Sequence, residues 1–201
     1  MMKQTPCNEI AGIILAAGEG KRIGRTKALL KVDKVSFLEK IATCLKAVGC
    51  KPILVVGGSD ANLVKKEAKR LGIGFAHNAS WEDGQFSSLK IGLANLKMDV
   101  CGAIVALVDH PFVAKETYEN LKKAFQQFPQ RIVMPVYEHR RGHPIVIPRA
   151  VIRESVEAVA NITLKDIISR HEKMIIMHRC ADPAVLQDID TMDDLQRARQ
   201  Q

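Results

Sequence analysis

The sequence predicts an α/β protein with a mostly parallel sheet, and three observations carry that prediction. Short, nearly unbroken apolar runs alternate with amphipathic helical stretches. Each run ends in turn residues. The first run opens directly into a glycine-rich, basic loop, LAAGEGKRIGRTKALL, at positions 15–30.

Taken in order, Ile10–Leu15, Ile53–Val56 and Ala103–Val108 read as buried strands, and Ile132–Val136, Ile145–Ile147 and Met174–Met177 as further strands. Helices are expected at Phe37–Val48, Asn62–Leu71, Ser88–Leu96, Lys115–Phe125 and Leu164–Arg170, with Asp60 and Ser87 as N-caps. Such alternation builds βαβ units, whose sheets bind ligands at the carboxyl ends of their strands. The informative segments are therefore those that follow strands: LAAGEGKR, GGSD, HNAS, VDHP and YEHRRGHP. No internal repeat or linker interrupts the pattern, so residues 1–201 read as one domain.

Composition narrows the function classes. Hydrophobic residues make up 47% and charged residues 26%, ordinary for a soluble globular protein. No stretch approaches the ~20 apolar residues of a membrane span, and MMKQTPCNEIAG lacks the apolar centre of a secretory signal. A cytoplasmic protein with no membrane partner is expected. The five cysteines are odd in number and contain no C-x-x-C, which speaks against a disulfide framework or zinc knuckle. The net charge of +8 suits a polyanionic ligand. Aromatics, at 4%, are thin for base stacking, and no nucleic-acid partner is expected.

The loop after the first strand fits a phosphate. Glycines let backbone N–H groups converge on an anion, and Arg22 and Lys27 follow within reach of it. Gly18, Gly20 and Gly24 form G-x-G-x-x-x-G, which departs from the dinucleotide fingerprint, and no P-loop spacing is present.

Three acids follow strand ends or extended segments. Asp109 ends the strand Ala103–Val108. Asp188 and Asp190, in LQDIDTMDDL, fall on one face of an extended segment with Ile189 turned inward. Thr191 reads as the cap of a last helix, with Asp193 and Asp194 as charges in its first turn. Mg²⁺ takes one or two carboxylates and fills its remaining positions with water and phosphate oxygens, and Asp109 and Asp190 are the candidate pair. His110, His139 and His143 lack zinc-ligand spacing. Trp81, in ASWEDGQ, either packs a loop or covers a base.

These residues together resemble a family. LAAGEGKRIGRTKALL resembles the signature L-A-[AG]-G-x-x-x-R-[MI]-G-x-x-K of the nucleotidyltransferases that build molybdenum cofactor dinucleotides. GQFSSLKIGL, VDHPFV, RGHPIVIP and DIDTMDDL resemble its later motifs in the same order. The Ala-Ala-Gly form is similar to the cytidylyltransferases, whereas the guanylyltransferases typically have Ala-Gly-Gly.

The resemblance implies a three-layer α/β/α nucleotidyltransferase (Rossmann-like) fold with a mostly parallel sheet. It implies a Mg²⁺-dependent transfer of a nucleoside monophosphate, CMP from CTP, onto a phosphorylated acceptor such as molybdopterin, with a molybdoenzyme receiving the product. Leu15, Ala16, Ala17, Gly18, Gly20, Arg22 and Lys27 would hold the triphosphate; Gly58 and Asn78 would hold the base, with Ser88 beside the nucleotide. Lys27, Arg22 and Asp109 would be catalytic, Asp109 and Asp190 would bind the metal, and Gly142, His143 and Pro144 would face the acceptor. In one place the chain departs from the pattern. Many of these cytidylyltransferases carry Gly-Asp-x-Gly before the penultimate helix, where this chain has VEAVANITLKDIIS. A sugar- or polyol-phosphate acceptor is the alternative within the fold, and a non-catalytic nucleotide- or nucleic-acid-binding protein the alternative outside it.

Overall fold

The computed structural model describes residues 9–20, 26–96, 100–159 and 162–198. Arg22 and Gly24 of the basic loop, and Cys7, lie outside the described residues.

The chain runs β1 (Ile10–Ala16), β2 (Lys31–Val32), β3 (Val35–Ser36), α1 (Phe37–Ala47), β4 (Ile53–Gly57), α2 (Ala61–Leu71), β5 (Gly74–His77) and α3 (Gln85–Ala94). It continues through β6 (Gly102–Leu107), α4 (Lys115–Gln127), β7 (Ile132–Tyr137), β8 (Arg140–Arg141), β9 (Ile145–Pro148), α5 (Arg149–Glu157), α6 (Leu164–Arg170), β10 (Ile175–Arg179) and α7 (Met192–Ala198).

Among the described residues the main sheet has the order β10-β7-β9-β6-β1-β4-β5, with β8 on β7. The β6–β1–β4–β5 pairs and the β10–β7 pair are parallel, β9 runs antiparallel between β6 and β7, and the short β8 pairs antiparallel with β7. This is the three-layer, mostly parallel architecture expected. Its strands are apolar on both faces because both are covered. In β1, Ile10 and Ile14 face a core built with α1, α2 and α4, while Ala11 and Ile13 face a second core built with α3, α5 and α6. Gly12 is a close approach: a Cβ there would lie 2.9 Å from Leu45 of α1.

Several local expectations need correction. The third helix starts at Gln85, not Ser88, with Gly84 at its N-cap. Ser87 is therefore inside the helix, where its hydroxyl donates back to the carbonyl of Gly84 at 2.8 Å. Asp60 occupies the N-cap of α2 without a side-chain cap bond. The last strand begins at Ile175, because Met174 closes a 3₁₀ turn, and it extends to Arg179. Helix α5 had no signal strong enough to be read, although Val151, Ile152 and Ser155 bury one face of it. Among the described residues, no helix is long and apolar enough to cross a membrane.

Candidate active site

The carboxyl ends of β1 and β6 lie side by side, since Leu15 pairs with Leu107 and the Val108 amide donates to the Leu15 carbonyl at 3.1 Å. That register sets the glycine loop after β1 beside Asp109. The Ile189 amide donates to the Asp109 carbonyl at 2.8 Å, which brings the late DID segment to the same edge. Ile189 is buried and Asp188 exposed, so the alternation expected there holds and Asp190 faces the site.

Lys27 opens a short 3₁₀ turn beyond the glycine loop. Its Nζ lies 3.3 Å from Asp109 Oδ2 and also donates to Asp190 Oδ1. Burial alone would lower the lysine pKa; the Asp190 hydrogen bond and the charge of Asp109 outweigh it and hold the pKa above its ordinary value. His110 is buried beside the pair, with Nε2 3.9 Å from Asp109 Oδ1 and Nδ1 3.4 Å from the Ala184 carbonyl. Asp109 Oδ1 is itself buried with no hydrogen-bond partner.

Asp190 is held from behind. Asp194 Oδ2 accepts from the amides of Asp190 at 3.2 Å and Thr191 at 2.8 Å and from the Thr191 hydroxyl at 2.7 Å, while Thr191 Oγ1 accepts from the Asp194 amide at 3.1 Å. This reciprocal cap satisfies the first turn of α7. The Thr191 hydroxyl, followed by the backbone amides, keeps the Asp194 carboxyl below its usual range against the opposing effect of desolvation. In the sequence Asp194 reads like Asp193, as a plain helix-start charge. The T-x-x-D spacing was the signal that could have separated them.

A cavity of about 500 Å³ is lined by Leu15, Ala16, Ala17, Gly18 and Gly20, by Lys27, Ser88, Asp109 and Asp190, and also by Trp81. These include most of the residues expected at a nucleotide. Gly58 and Asn78 do not line it. A Cβ at Gly58 would lie 2.4 Å from the Ala17 carbonyl and 2.6 Å from Trp81 Cβ, so this glycine packs behind the loop. Asn78 is buried, and its Nδ2 donates to the hydroxyls of Ser87 at 2.8 Å and Ser88 at 3.0 Å. Through these bonds Asn78 braces the start of α3, which walls the cavity.

A second cavity of about 880 Å³ shares Leu15, Gly84, Gln85 and Leu107 with the first. Its wall is largely apolar, with Phe86, Leu89, Val105 and Leu164, and it carries the cations Lys90 and Lys165. Of the three residues expected at an acceptor, His143 lines it; Gly142 and Pro144 are buried and do not. A Cβ at Gly142 would meet the Val185 carbonyl oxygen at 2.3 Å, so it is a packing glycine. Burial, and secondarily the neighbouring His110, pushes the His143 imidazole down to about 4, so it is neutral near pH 7, and its Nδ1 has no hydrogen-bond partner.

The donor set suits a hard divalent cation. Two carboxylates meet at one cavity, and one of them keeps a buried oxygen without a hydrogen bond. Among the described residues there is no cluster of three or more His, Cys, Asp or Glu, so protein ligands would fill only part of the coordination shell. That is the usual arrangement where substrate phosphates supply the rest.

Comparison with known proteins agrees with this geometry. Residues 12–174 match the model of the MobA-like NTP transferase domain. Nicotine blue oxidoreductase of Paenarthrobacter nicotinovorans is 30% identical over 203 residues, covering 96% of each chain. The molybdenum cofactor cytidylyltransferase of Escherichia coli is 23% identical, covering 94% of each. Among solved structures, Rv0371c of Mycobacterium tuberculosis superposes with a TM-score of 0.80 at 22% identity, covering 96% of this chain and 98% of that one. A manganese complex of Rv0371C superposes at 0.74 with 23% identity, covering 94% and 97%. With the family model spanning most of its length and the three-layer fold shared across these structures, the chain belongs to the MobA-like NTP transferase family.

Proposed function

We propose that this protein transfers a nucleoside monophosphate, CMP from CTP, onto a phosphorylated acceptor held in the second cavity, releasing pyrophosphate. The observation that carries the reading is the meeting of Lys27, Asp109 and Asp190 at the mouth of the glycine loop. An acceptor phosphate oxygen attacks the α-phosphorus. The new P–O bond forms as the α–β bridging bond breaks, and pyrophosphate leaves with the electron pair. Positioning and neutralisation of charge dominate such transfers. The backbone amides of Ala16–Gly18 orient the triphosphate, and Lys27 donates to a phosphate oxygen as charge moves to the leaving group. Asp109 and Asp190 would hold Mg²⁺, which supplies positive charge to the phosphate oxygens. Trp81 and Ser88 wall the nucleotide side. Ala16-Ala17-Gly18 favours the cytidylyl branch.

The apolar lining and the size of the second cavity favour an acceptor with a large ring system and an anionic group over a polyol or sugar phosphate. Lys165 suits the anionic group, with Lys90, whose Nζ donates to the Ala158 carbonyl, adding charge nearby, and molybdopterin has both features. A molybdoenzyme would then receive the product.

A second reading has one observation behind it, the 30% identity to nicotine blue oxidoreductase. On that reading the first cavity takes an electron donor and the second an aromatic acceptor. Pyrophosphate release is measured with Mg²⁺ and CTP, GTP, UTP or ATP, each with molybdopterin or with sugar and polyol phosphates. CTP with molybdopterin should turn over fastest. Oxidation of a reduced nicotinamide dinucleotide by an aromatic dye, with no pyrophosphate release from any pair, would establish the second reading. Nucleotide binding without either reaction would leave a non-catalytic binding protein.

A further inference from the structure

We propose that Lys27 gates the cation site: without nucleotide its ammonium occupies the two-carboxylate clasp, and an incoming triphosphate draws it off so that cation and nucleotide bind together. The inference rests on the reading of Asp109 and Asp190 as cation ligands. In the nucleotide-free chain the ammonium already holds one oxygen of each acid. The lysine side chain is only 17% exposed, so its charge is weakly screened. A divalent cation needs the same oxygens, and at such separations the repulsion between it and an ammonium is large.

The geometry also supplies a route for the exchange. Asp109 Oδ1 is buried, is not held by the lysine and has no hydrogen-bond partner, so a cation that displaces Nζ from Oδ2 finds a second oxygen of the same carboxylate left to coordinate. Lys27 lines the same cavity as Gly18 and Gly20. A triphosphate on that loop gives the ammonium a second set of anionic oxygens within the reach of one flexible side chain. The outcome is positive coupling: nucleotide raises affinity for the cation, and the cation raises affinity for nucleotide by the same factor. A cation alone is resisted.

The test uses Mn²⁺ alone, titrated calorimetrically into the nucleotide-free full chain. Lys27→Met and Lys27→Gln should each bind Mn²⁺ roughly tenfold or more tightly than the parent, within the range that coupled sites span. Adding Asp109→Asn to Lys27→Met should abolish the gain. Affinity equal to or below the parent's in the lysine variants would overturn the gate. A second measurement needs no variant: in the parent, Mn²⁺ at the concentration that saturates the site in the calorimetric titration should accelerate acylation of Lys27 by acetic anhydride, read by peptide mass spectrometry, and an unchanged rate at saturation would also overturn it. Neither readout involves turnover. A protein that passes both tests yet releases no pyrophosphate would lose the transferase reading and keep the gate.

Discussion

The backbone N–H of Ile189 donates to the carbonyl of Asp109 at 2.8 Å, closing a separation of 189 − 109 = 80 positions. Other bonds stitch the same two segments together. Asp182 Oδ2 accepts from the Ala114 amide at 2.9 Å and the Thr117 hydroxyl at 2.7 Å, and His110 Nδ1 lies 3.4 Å from the Ala184 carbonyl. The late segment is thus fixed along the loop that follows β6, and Asp190 has a defined place beside Asp109.

If the two acids act through one cation, as proposed, their losses should not multiply. Asp109→Asn and Asp190→Asn should each lower turnover on the order of 10²-fold, comparable to removing one preorganised electrostatic group. The double variant should fall far short of the product of the two. Turnover measured against Mg²⁺ concentration checks this. Full multiplicativity would mean two independent roles.

Gly58→Ala should disturb the first cavity from behind, through Ala17 and Trp81 that line it. The new methyl would sit 2.4 Å from the Ala17 carbonyl and 2.6 Å from Trp81 Cβ, so backbone or ring must move. Overpacking of this kind costs about 1–3 kcal/mol. Trp81 is the single tryptophan, so its emission should shift in step with weaker nucleotide binding. An unchanged spectrum with weakened binding would place the effect elsewhere.

The sheet and its ligand edge were legible because buried parallel strands leave unbroken apolar runs, as at Ile10–Ala16 and Gly102–Leu107. The meeting of Lys27, Asp109 and Asp190 was legible because Lys27 follows the glycine loop, Asp109 follows a strand end and Asp190 lies in extended alternation. The packing of Gly58, Asn78 and Gly142 was not. Glycine in a loop gives the same letter whether backbone approaches a ligand or a neighbouring chain segment, and a buried Asn bonded to Ser87 and Ser88 gives no periodic signal. Asp194 was misread for a related reason: composition weighs acids in a first turn alike, and only hydrogen-bond direction separates a cap from a solvated charge.

Cys50 should make the fold sensitive to alkali. Burial pushes its thiol up to about 12 from an ordinary value of 9.0, with Lys122 opposing weakly. The raised folded pKa means stability is fully present below about pH 9 and is lost as pH rises towards 12, because the unfolded chain ionises first. At pH 10.5 the loss is about 2 kcal/mol for a shift of this size. Cys50→Ala should be less stable than the parent near pH 7, by about 1 kcal/mol for a small buried deletion. It should match or exceed the parent near pH 10.5. Denaturant titrations at both pH values check the crossing, and a constant gap would mean the thiol ionises alike in both states.

Asp194 should act as a positioning residue for Asp190. Its Oδ2 holds the amides of Asp190 and Thr191 and the Thr191 hydroxyl, so its loss frees the backbone that aims the Asp190 carboxylate. Asp194→Ala removes every acceptor, whereas Asp194→Asn keeps one oxygen and loses the charge. Groups that orient a metal-holding side chain typically cost about 10–100-fold in metal affinity when removed. The Mg²⁺ concentration for half-maximal rate should therefore rise roughly tenfold in Asp194→Ala, and by less in Asp194→Asn. Turnover at saturating Mg²⁺ should change much less, because the proposed ligands Asp109 and Asp190 remain. Asp193→Ala removes the same formal charge one residue away, and no hydrogen bond links Asp193 to the Asp190 backbone among those seen; it should leave the Mg²⁺ dependence at the parent's value. If Asp194→Ala followed Asp193→Ala at every Mg²⁺ concentration, the cap would serve α7 alone and the orientation of Asp190 would come from the Ile189–Asp109 bond.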